Sequence, residues 1–466
     1  MNLTRRDFLG GAMAAVAAAF SWRALAGDGV PDLVFGVLSD PHVTDDPATA
    51  DVLEKVFAYL RSQNVDVVVI SGDITHLGLV SELKLVAKAW DNVFAGVCGA
   101  GGEPVKKMFV LGNHDAKQAS FQRGKPLSEE ERNSSIFSSP KRVWKEVLGE
   151  DEFDDGIFMR VIRGFTFVGA NWGHEGEIGK WLAAHEDAVK GDRPFFYVQH
   201  PHPRGTCLSI KEIAADNGAS TKALASFPNC FAMSGHSHRS ISDDCALWHG
   251  SFASMAAGSS RIVGIRSGYD NSHVKPGPKA KEAHTKTCSA GGAWQVSVVR
   301  VHGDRVEVDR RDIKSGGGSL GASWVLSLPL HGCAERPFVC AEKGNAPQFP
   351  VGAAVKISTG QGKRRPSNTL EDQIHVKFPA AVSDGPWSRA LSYLVEVMDS
   401  ASGRKLAERE VLQSKYAMPE AVSEKESGFC AFGVDELPSG AMLVFRVTPR
   451  NAVARGGRPI EGRFAV

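Results

Sequence analysis

The chain has 466 residues, which is too long for one ordinary domain and predicts two or three. A hydrophobic content of 42% with 23% charged residues is typical of a globular protein that can bury a core. The formal net charge of +1 gives no electrostatic support for nucleic acid or an anionic membrane as the main partner.

The first 26 residues have the pattern of a targeting segment. Arg5 and Arg6 precede an apolar run at residues 8–20. This run is too short to span a bilayer, which requires about 20 apolar residues. The Ala-Leu-Ala sequence at residues 24–26 then suits cleavage by a signal peptidase. The segment resembles a twin-arginine signal, which in bacteria exports folded proteins. We therefore expect a periplasmic or secreted mature chain without a transmembrane segment.

From residue 33 onwards, short apolar strands alternate with amphipathic helices. This order favours an α/β fold whose sheet strands are covered by helices. The predicted strands are residues 33–38, 65–70, 107–111, 165–170 and 194–198, and the predicted helices are residues 48–63, 79–97 and 141–148.

Beyond residue 235 the pattern changes to short strands at residues 248–257 and 262–265, followed by a hairpin at residues 291–313. A glycine-rich stretch at residues 315–319 predicts a boundary. Alternating segments beyond residue 345 predict a small all-β sandwich. The predicted divisions are a signal at 1–26, a first domain at 27–315, a linker at 316–345 and a β-sandwich at 346–466.

Polar residues follow five of the apolar strands at the point where each strand ends. In α/β folds the carboxyl ends of strands are where ligands bind, because the loops there converge on one crevice. The residues at these five ends are Asp40 and His42, then Asp73, then Asn113 with His114 and Asp115, then His200 and His202, and finally His236 and His238.

These residue types indicate a metal site. Asp40 with His42, and His236 with His238, are pairs spaced two residues apart, so an extended backbone can direct both side chains the same way. Carboxylate, imidazole and amide ligands without a thiolate suit zinc, manganese or iron. Seven ligands are too many for one catalytic ion with an open position, but they suit two ions that share a carboxylate.

The ordered motifs resemble those of the calcineurin-like metallophosphoesterase family. They are Asp40-Pro41-His42, Gly72-Asp73 with Gly78, Gly112-Asn113-His114-Asp115, His200, and Gly235-His236-Ser237-His238. The resemblance covers residues 33–313. It implies a two-sheet α/β/β/α sandwich, which here precedes a small all-β domain of the fibronectin type III or immunoglobulin kind.

The resemblance also implies how the ligands divide. One metal ion would be held by Asp40, His42 and His238, and the second by Asn113, His200 and His236, with Asp73 bridging both. The reaction implied is phosphoester hydrolysis by a metal-bridged hydroxide, with a small phosphomonoester or phosphodiester as the substrate. His114 would be the general acid, and Asp115 would orient its ring and raise its basicity.

Several assignments stay open at this stage. The family usually shows His-x-Pro after the fourth strand, whereas this chain offers both His200 and His202; His200 is preferred because it lies at the strand end. The sequence also leaves open whether His76, His174, Trp172 and Arg204 line the cleft.

Two other functions compete with the phosphoesterase interpretation. The chain could be a surface-binding protein with a vestigial metal site, although the intact set of seven ligands argues against this. An extracytoplasmic nuclease is disfavoured because the charge is near neutral and no basic stripe with interleaved aromatic residues is present.

The eight cysteines include no pair separated by two residues, which argues against a zinc knuckle or a thioredoxin-like site. If the protein is exported, disulfides become possible. The candidates are Cys333 with Cys340, or pairs among Cys207, Cys230 and Cys245, and the sequence leaves the connectivity open.

Overall fold

The structure is a computed structural model. It describes residues 29–116, 128–151, 153–208, 214–265, 288–289, 293–331, 345–364, 367–383, 385, 388–413 and 415–466. The predicted signal segment and the candidate pair Cys333 and Cys340 lie outside these ranges.

Fifteen strands lie in the described residues between 29 and 331, and most match a strand predicted above. They are β1 (Leu33–Leu38), β2 (Val67–Ser71), β3 (Lys106–Val110), β4 (Ile157–Ile162), β5 (Phe165–Ala170), β6 (Phe195–Val198), β7 (Cys230–Ser234), β8 (Leu247–His249), β9 (Ala253–Ala256), β10 (Gly264–Ile265), β11 (Cys288–Ser289), β12 (Gln295–Val301), β13 (Arg305–Asp312), β14 (Gly318–Ser319) and β15 (Trp324–Ser327).

The first helix of the same region begins where the sequence supplies a helix start. Asp46 precedes the first helix, and its carboxylate accepts a hydrogen bond from the backbone N–H of Ala48 (3.0 Å), while Pro47 occupies the first helical position. The helices are α1 (Pro47–Ser62), α2 (Val80–Phe94), α3 (Glu129–Asn133), α4 (Pro140–Leu148), α5 (Ile178–Ala184), α6 (Glu186–Val189) and α7 (Ala219–Leu224).

Two sheets face each other across the main core. The first has the order β14-β13-β12-β1-β2-β3 with β15 also paired to β13, and the second has the order β4-β5-β6-β7-β9-β8. Phe35 of the first sheet contacts Phe167 and Phe196 of the second, with ring centroids 5.4 and 4.8 Å apart. Helices cover the outer faces, as where Trp90 of α2 contacts Phe109 of β3 at 5.7 Å. The α/β/β/α sandwich is therefore confirmed.

The first sheet extends further along the chain than the glycine-rich stretch suggested. The predicted linker at 316–345 begins inside this sheet, because β14 and β15 both form antiparallel pairs with β13. Gly316 and Gly317 adopt positive φ angles of 69° and 79° and turn the chain back into the sheet. The glycines at residues 316–318 mark a tight turn rather than a flexible connection.

The carboxyl-terminal region forms two further antiparallel sheets around their own core, as the alternating segments predicted. The orders are β16-β17-β20 and β19-β18-β21-β22. Buried residues such as Ile374, Tyr393 and Phe445 fill the space between them. The elements are β16 (Lys356–Arg364), β17 (Thr369–Phe378), β18 (Ser392–Asp399), β19 (Lys405–Leu412), α8 (Glu420–Ser423), β20 (Gly428–Gly433), β21 (Met442–Arg450) and β22 (Ile460–Ala465).

Cys207, Cys230 and Cys245 are free and fully buried. The alternative that paired these three cysteines among themselves is therefore wrong, because none of the three forms a disulfide. No helix within the described ranges is long and apolar enough to cross a membrane.

Candidate metal centre

The residues predicted from strand ends converge at one edge of the sandwich. β1, β2 and β3 are parallel in the first sheet, and β6 and β7 are parallel in the second, so their carboxyl ends share one rim. The loops at these ends carry all seven predicted ligands, namely Asp40, His42, Asp73, Asn113, His200, His236 and His238.

Six of these side chains form two groups that share one carboxylate. Asp40, His42, Asp73 and His238 present ligand atoms within 4.8 Å of one another, and Asp73, His200 and His236 do the same. The Oδ2 atom of Asp73 lies 3.7 Å from Nε2 of His42 and 3.1 Å from Nε2 of His200. One carboxylate oxygen therefore faces an imidazole of each group, which is the arrangement of a bridging ligand.

The two carboxylates are oriented by backbone N–H groups from neighbouring loops. Oδ1 of Asp73 accepts a hydrogen bond from the backbone N–H of His114 (2.8 Å), and Oδ2 of Asp40 accepts one from that of His236 (3.0 Å). Each carboxylate thus has one oxygen held by the protein. The other oxygen of each faces the histidines.

Several buried ligand atoms at this centre lack a hydrogen-bond partner among the described residues. They are Oδ1 of Asp40, Oδ1 of Asn113 and Nε2 of His200. Nε2 of His238 lies 3.0 Å from Oδ1 of Asp40. Buried polar atoms without partners are costly, and a divalent cation would satisfy them. The donor set of carboxylate, imidazole and amide therefore fits two metal ions.

The backbone at the centre is strained at five of the seven predicted ligands. These residues have φ between 45° and 68°, in the left-handed region that side chains other than glycine rarely adopt. Such conformations persist only where the surrounding structure imposes them, and they cluster at functional sites. The five are Asp40, His42, Asp73, His236 and His238.

Two motif glycines are required by the close packing of the ligands. A methyl group at Gly72 would overlap the His200 imidazole, and one at Gly235 would overlap the side chains of Ser39 and Asp40. The Gly-Asp and Gly-His pairs in the sequence therefore reflect ligands that press directly against the neighbouring backbone.

The charges of the histidines depend on their distance from the two carboxylates. Burial lowers the pKa of His42 to about 3 and that of His236 to about 4, which keeps both rings in the neutral form that binds metal. Burial also acts against the charged form of His200, but the adjacent Asp73 carboxylate outweighs it and raises the pKa to about 10. A cation bound here would displace a proton from His200.

His200 and His202 occupy different environments. Nδ1 of His200 donates to the carbonyl of Ser71 (2.7 Å), so Nε2 is the ring nitrogen that faces Asp73. Both ring nitrogens of His202 are instead within 2.8 Å of serine hydroxyls, those of Ser234 and Ser237. His200 can therefore offer a nitrogen to a cation, while His202 supports the loop between His236 and His238.

The structure corrects the role expected for Asp115. Its oxygens accept hydrogen bonds from the backbone N–H groups of Ile74, Thr75 and Gly112 and from the Thr75 hydroxyl, at 2.6–3.1 Å. The partner of the His114 ring is the carbonyl oxygen of His76, 2.8 Å from Nδ1. Asp115 is fully buried and ties the Gly-Asn-His-Asp loop to the Gly-Asp loop, so it does not orient the His114 imidazole.

Other residues border the centre. His76 lies beside His114 and His42, with ring centroids 5.3 and 5.6 Å away, and Trp172 lies 5.5 Å from His236 on the opposite side. The side chain of Arg204 donates a hydrogen bond to the carbonyl oxygen of Asp216. Arg261 donates to the carbonyl oxygen of His42. The sequence carried no signal for Arg261, because the segment that contains it matches none of the motifs.

The fold and the site together consist of a four-layered α/β sandwich with two groups of Asp and His side chains, sharing Asp73, at one edge. Residues 33–240 match the sequence model of the calcineurin-like phosphoesterase family. No curated protein sequence matches the chain.

Solved structures that resemble the chain cover about two thirds of it. A dimetal phosphatase from Danio rerio is 14% identical with a TM-score of 0.37, covering 64% of this chain and 99% of its own. A predicted phosphoesterase from Streptococcus pneumoniae is 14% identical with a TM-score of 0.27, covering 63% and 97%. A purple acid phosphatase from yellow lupin seeds is 11% identical with a TM-score of 0.35, covering 66% and 55%.

Proposed function

We propose that this protein hydrolyses phosphoesters with two metal ions held by Asp40, His42, Asp73, Asn113, His200, His236 and His238. The observation that carries the proposal is the shared position of Asp73, whose Oδ2 faces an imidazole from each group of ligands. The match of residues 33–240 to a phosphoesterase family supports the same reaction class.

Two bound cations would lower the pKa of a water molecule and neutralise the charge that builds up on the phosphoryl oxygens. The protein supplies the ligand geometry, because each carboxylate has one oxygen held by a backbone N–H. Oδ1 of Asp40 and Oδ1 of Asn113 are buried without a hydrogen-bond partner among the described residues, so each can offer a lone pair to a cation.

We assign to His114 the role of general acid for the leaving group, and its hydrogen bonding supports this. A carbonyl oxygen can only accept, so the contact with His76 means that Nδ1 of His114 carries the hydrogen. Nε2 is then the atom that can gain and deliver a proton, and it lies 3.9 Å from Oδ2 of Asp73, facing the metal centre. The ring is one-fifth exposed, which leaves access for a substrate oxygen.

A substrate panel tests this proposal. Metal-loaded protein should hydrolyse p-nitrophenyl phosphate, bis-p-nitrophenyl phosphate or both, and the ratio of kcat/KM assigns the monoesterase or diesterase preference. Asp73→Asn, a near-isosteric variant that weakens the bridge, should lose at least 100-fold in kcat/KM, the range typical of a lost metal-site or charge-stabilising group. A metal-replete protein that is inactive on every phosphoester would contradict the proposal and favour a binding role.

We also propose that the chain is exported after folding, which the arginine pair and the apolar run at residues 8–20 support. The free buried thiols of Cys207, Cys230 and Cys245 suit a protein that folds in a reducing compartment before export. Replacing Arg5 and Arg6 by lysine should retain the protein in the cytoplasm. Unchanged export of this variant, measured by fractionation, would contradict the proposal.

A further inference from the structure

The eight residues that follow the Gly-His-x-His motif are buried. We call residues 239–246 the buried segment. Each of them is at most 4% exposed, although several are polar or charged. The segment continues directly from His236 and His238, which have φ angles of 68° and 52°. Contacts that fix the backbone of the buried segment therefore also restrict the backbone of these two histidines.

The buried segment is held from one side by the β12–β13 hairpin. The side-chain oxygen of Gln295 accepts from the backbone N–H of Ile241 (2.9 Å), and its amide donates to the Ser240 hydroxyl (2.8 Å). Arg310 donates to the carbonyl of Ile241 (2.8 Å) and lies 3.4 Å from the Asp244 carboxylate. Gln295 and Arg310 are themselves fully buried.

The carboxyl-terminal sandwich contacts Gln295 and the buried segment from the other side. The amide of Gln295 also donates to the carbonyl of Ala417 (3.0 Å), and the thiol of Cys245 lies 3.7 Å from the carbonyl of Ala452. Tyr416, Ala417 and Ala452 belong to the core of the phosphoesterase domain rather than to the core of the sandwich. The two parts of the protein therefore share one continuous interior.

Arg389 ties the sandwich to the phosphoesterase sheet. Its guanidinium is 4% exposed and donates to the carbonyl of Leu320 (2.8 Å), between β14 and β15. It also donates to the Ser423 hydroxyl (2.9 Å) and lies 5.0 Å from the Tyr416 ring. Arg389 thus fixes the Tyr416–Ala417 loop that receives the hydrogen bond from Gln295.

We infer that the carboxyl-terminal sandwich is a positioning element of the metal centre. It closes over the buried segment and keeps His236 and His238 in their strained conformations. Left-handed residues of this kind need support from their surroundings. These two histidines belong to different ligand groups, so loss of the support should weaken both metal sites together. This inference rests on the proposed function only in that both require metal binding at this centre.

The test compares two arginine variants of the full-length protein. Arg389→Met removes the hydrogen bonds that join the two parts. Arg409→Met is the matched control, because Arg409 donates to Ala431 and pairs with Glu436, all within the sandwich. Zinc dissociation constants for both equivalents are measured by chelator competition, together with the absorption spectrum of the cobalt-substituted protein and the thermal midpoint.

We expect Arg389→Met to weaken both zinc equivalents by 10- to 100-fold, the usual effect of losing support behind metal ligands. The spectrum of its cobalt-substituted form should change. The zinc dissociation constants of Arg409→Met should stay within twofold of the wild-type values. Arg389→Lys, which keeps the charge and a donor, should recover part of the affinity. If Arg389→Met does not fold, Ser423→Ala supplies a milder form of the comparison, since it removes the hydroxyl that accepts a hydrogen bond from Arg389 and leaves the contacts of Gln295 intact.

A variant with a lower thermal midpoint but unchanged zinc affinities and cobalt spectrum would overturn the inference, because the sandwich would then only stabilise the fold. A wild-type protein that binds fewer than two zinc ions would instead contradict the proposed function. The two failures are therefore distinguishable.

Discussion

The imidazole of His114 is oriented by the main chain of His76. Nδ1 of His114 lies 2.8 Å from the carbonyl oxygen of His76, which leaves Nε2 directed at the bridging carboxylate of Asp73. The His114 ring is therefore aligned by the loop that also carries Asp73, so the proposed proton donor and the proposed metal bridge are fixed relative to each other.

His114→Ala should reduce turnover most for esters with poor leaving groups, because these need protonation as the bond breaks. We expect a loss on the order of 100-fold or more for alkyl phosphates and a smaller loss for p-nitrophenyl phosphate. His76→Ala keeps the backbone carbonyl and should preserve the leaving-group dependence. An equal loss for both substrate types in His114→Ala would argue against the acid role.

Asp115→Asn should lower stability without changing the leaving-group dependence. The amide would place an N–H₂ group against backbone N–H donors that now meet a carboxylate oxygen, such as those of Ile74 and Gly112. Each buried donor left without an acceptor costs about 1–3 kcal/mol. Thermal unfolding measures the stability loss. If Asp115→Asn instead lost activity mainly on esters with poor leaving groups, as expected for His114→Ala, the result would support an orienting role for Asp115.

His200→Ala and His202→Ala should differ in metal content. Nε2 of His200 faces Asp73, whereas both nitrogens of His202 contact serine hydroxyls. At saturating metal, His200→Ala should bind about one ion per chain and His202→Ala two, with a lower thermal midpoint for the latter. Elemental analysis of the two variants decides between them, and the opposite result would assign the ligand to His202.

The stability of the protein should depend on the titration of Asp243. Burial raises the pKa of this carboxyl to about 7, and its Oδ2 has no hydrogen-bond partner among the described residues. The unfolded chain titrates near 3.9. The folded state therefore binds the proton more tightly, and the stability from this group is complete below about pH 4 and is lost as the pH rises through 7.

Asp243→Asn removes this titration and keeps the oxygen that accepts from the backbone N–H of Cys245 (2.9 Å). Between pH 5 and 7, the unfolding free energy of wild type minus that of the variant should fall by on the order of 1 kcal/mol per pH unit. Denaturant titrations at several pH values measure this difference. A difference that does not change with pH would contradict the assignment.

Much of the site could be predicted because its signals are local in sequence. A buried strand followed at once by a polar residue needs no knowledge of distant contacts, and β1 and β5 were predicted with their observed bounds. The glycines beside Asp73 and His236 were visible for the same reason. Gly72 and Gly235 each directly precede a predicted ligand in the sequence. The steric overlap that requires glycine at these positions involves side chains that are far away along the chain.

The remaining features depend on contacts between distant residues. The partners of Asp115 include Thr75, 40 positions earlier in the chain, so the adjacent His114 was a natural but wrong choice. The pairing of β15 with β13 and the packing of Tyr416 in the main core are likewise properties of the folded chain. The alternation of apolar residues predicted a sandwich but carried no information on what that sandwich contacts.

Metal analysis combined with phosphoester hydrolysis tests the central claim most directly. Protein purified without chelators, or reconstituted with zinc, manganese or iron, should contain two ions per chain and hydrolyse at least one phosphoester. Chelation should abolish this activity and the metal should restore it. Fewer than two equivalents after careful purification, with no activity on metal addition, would contradict the account.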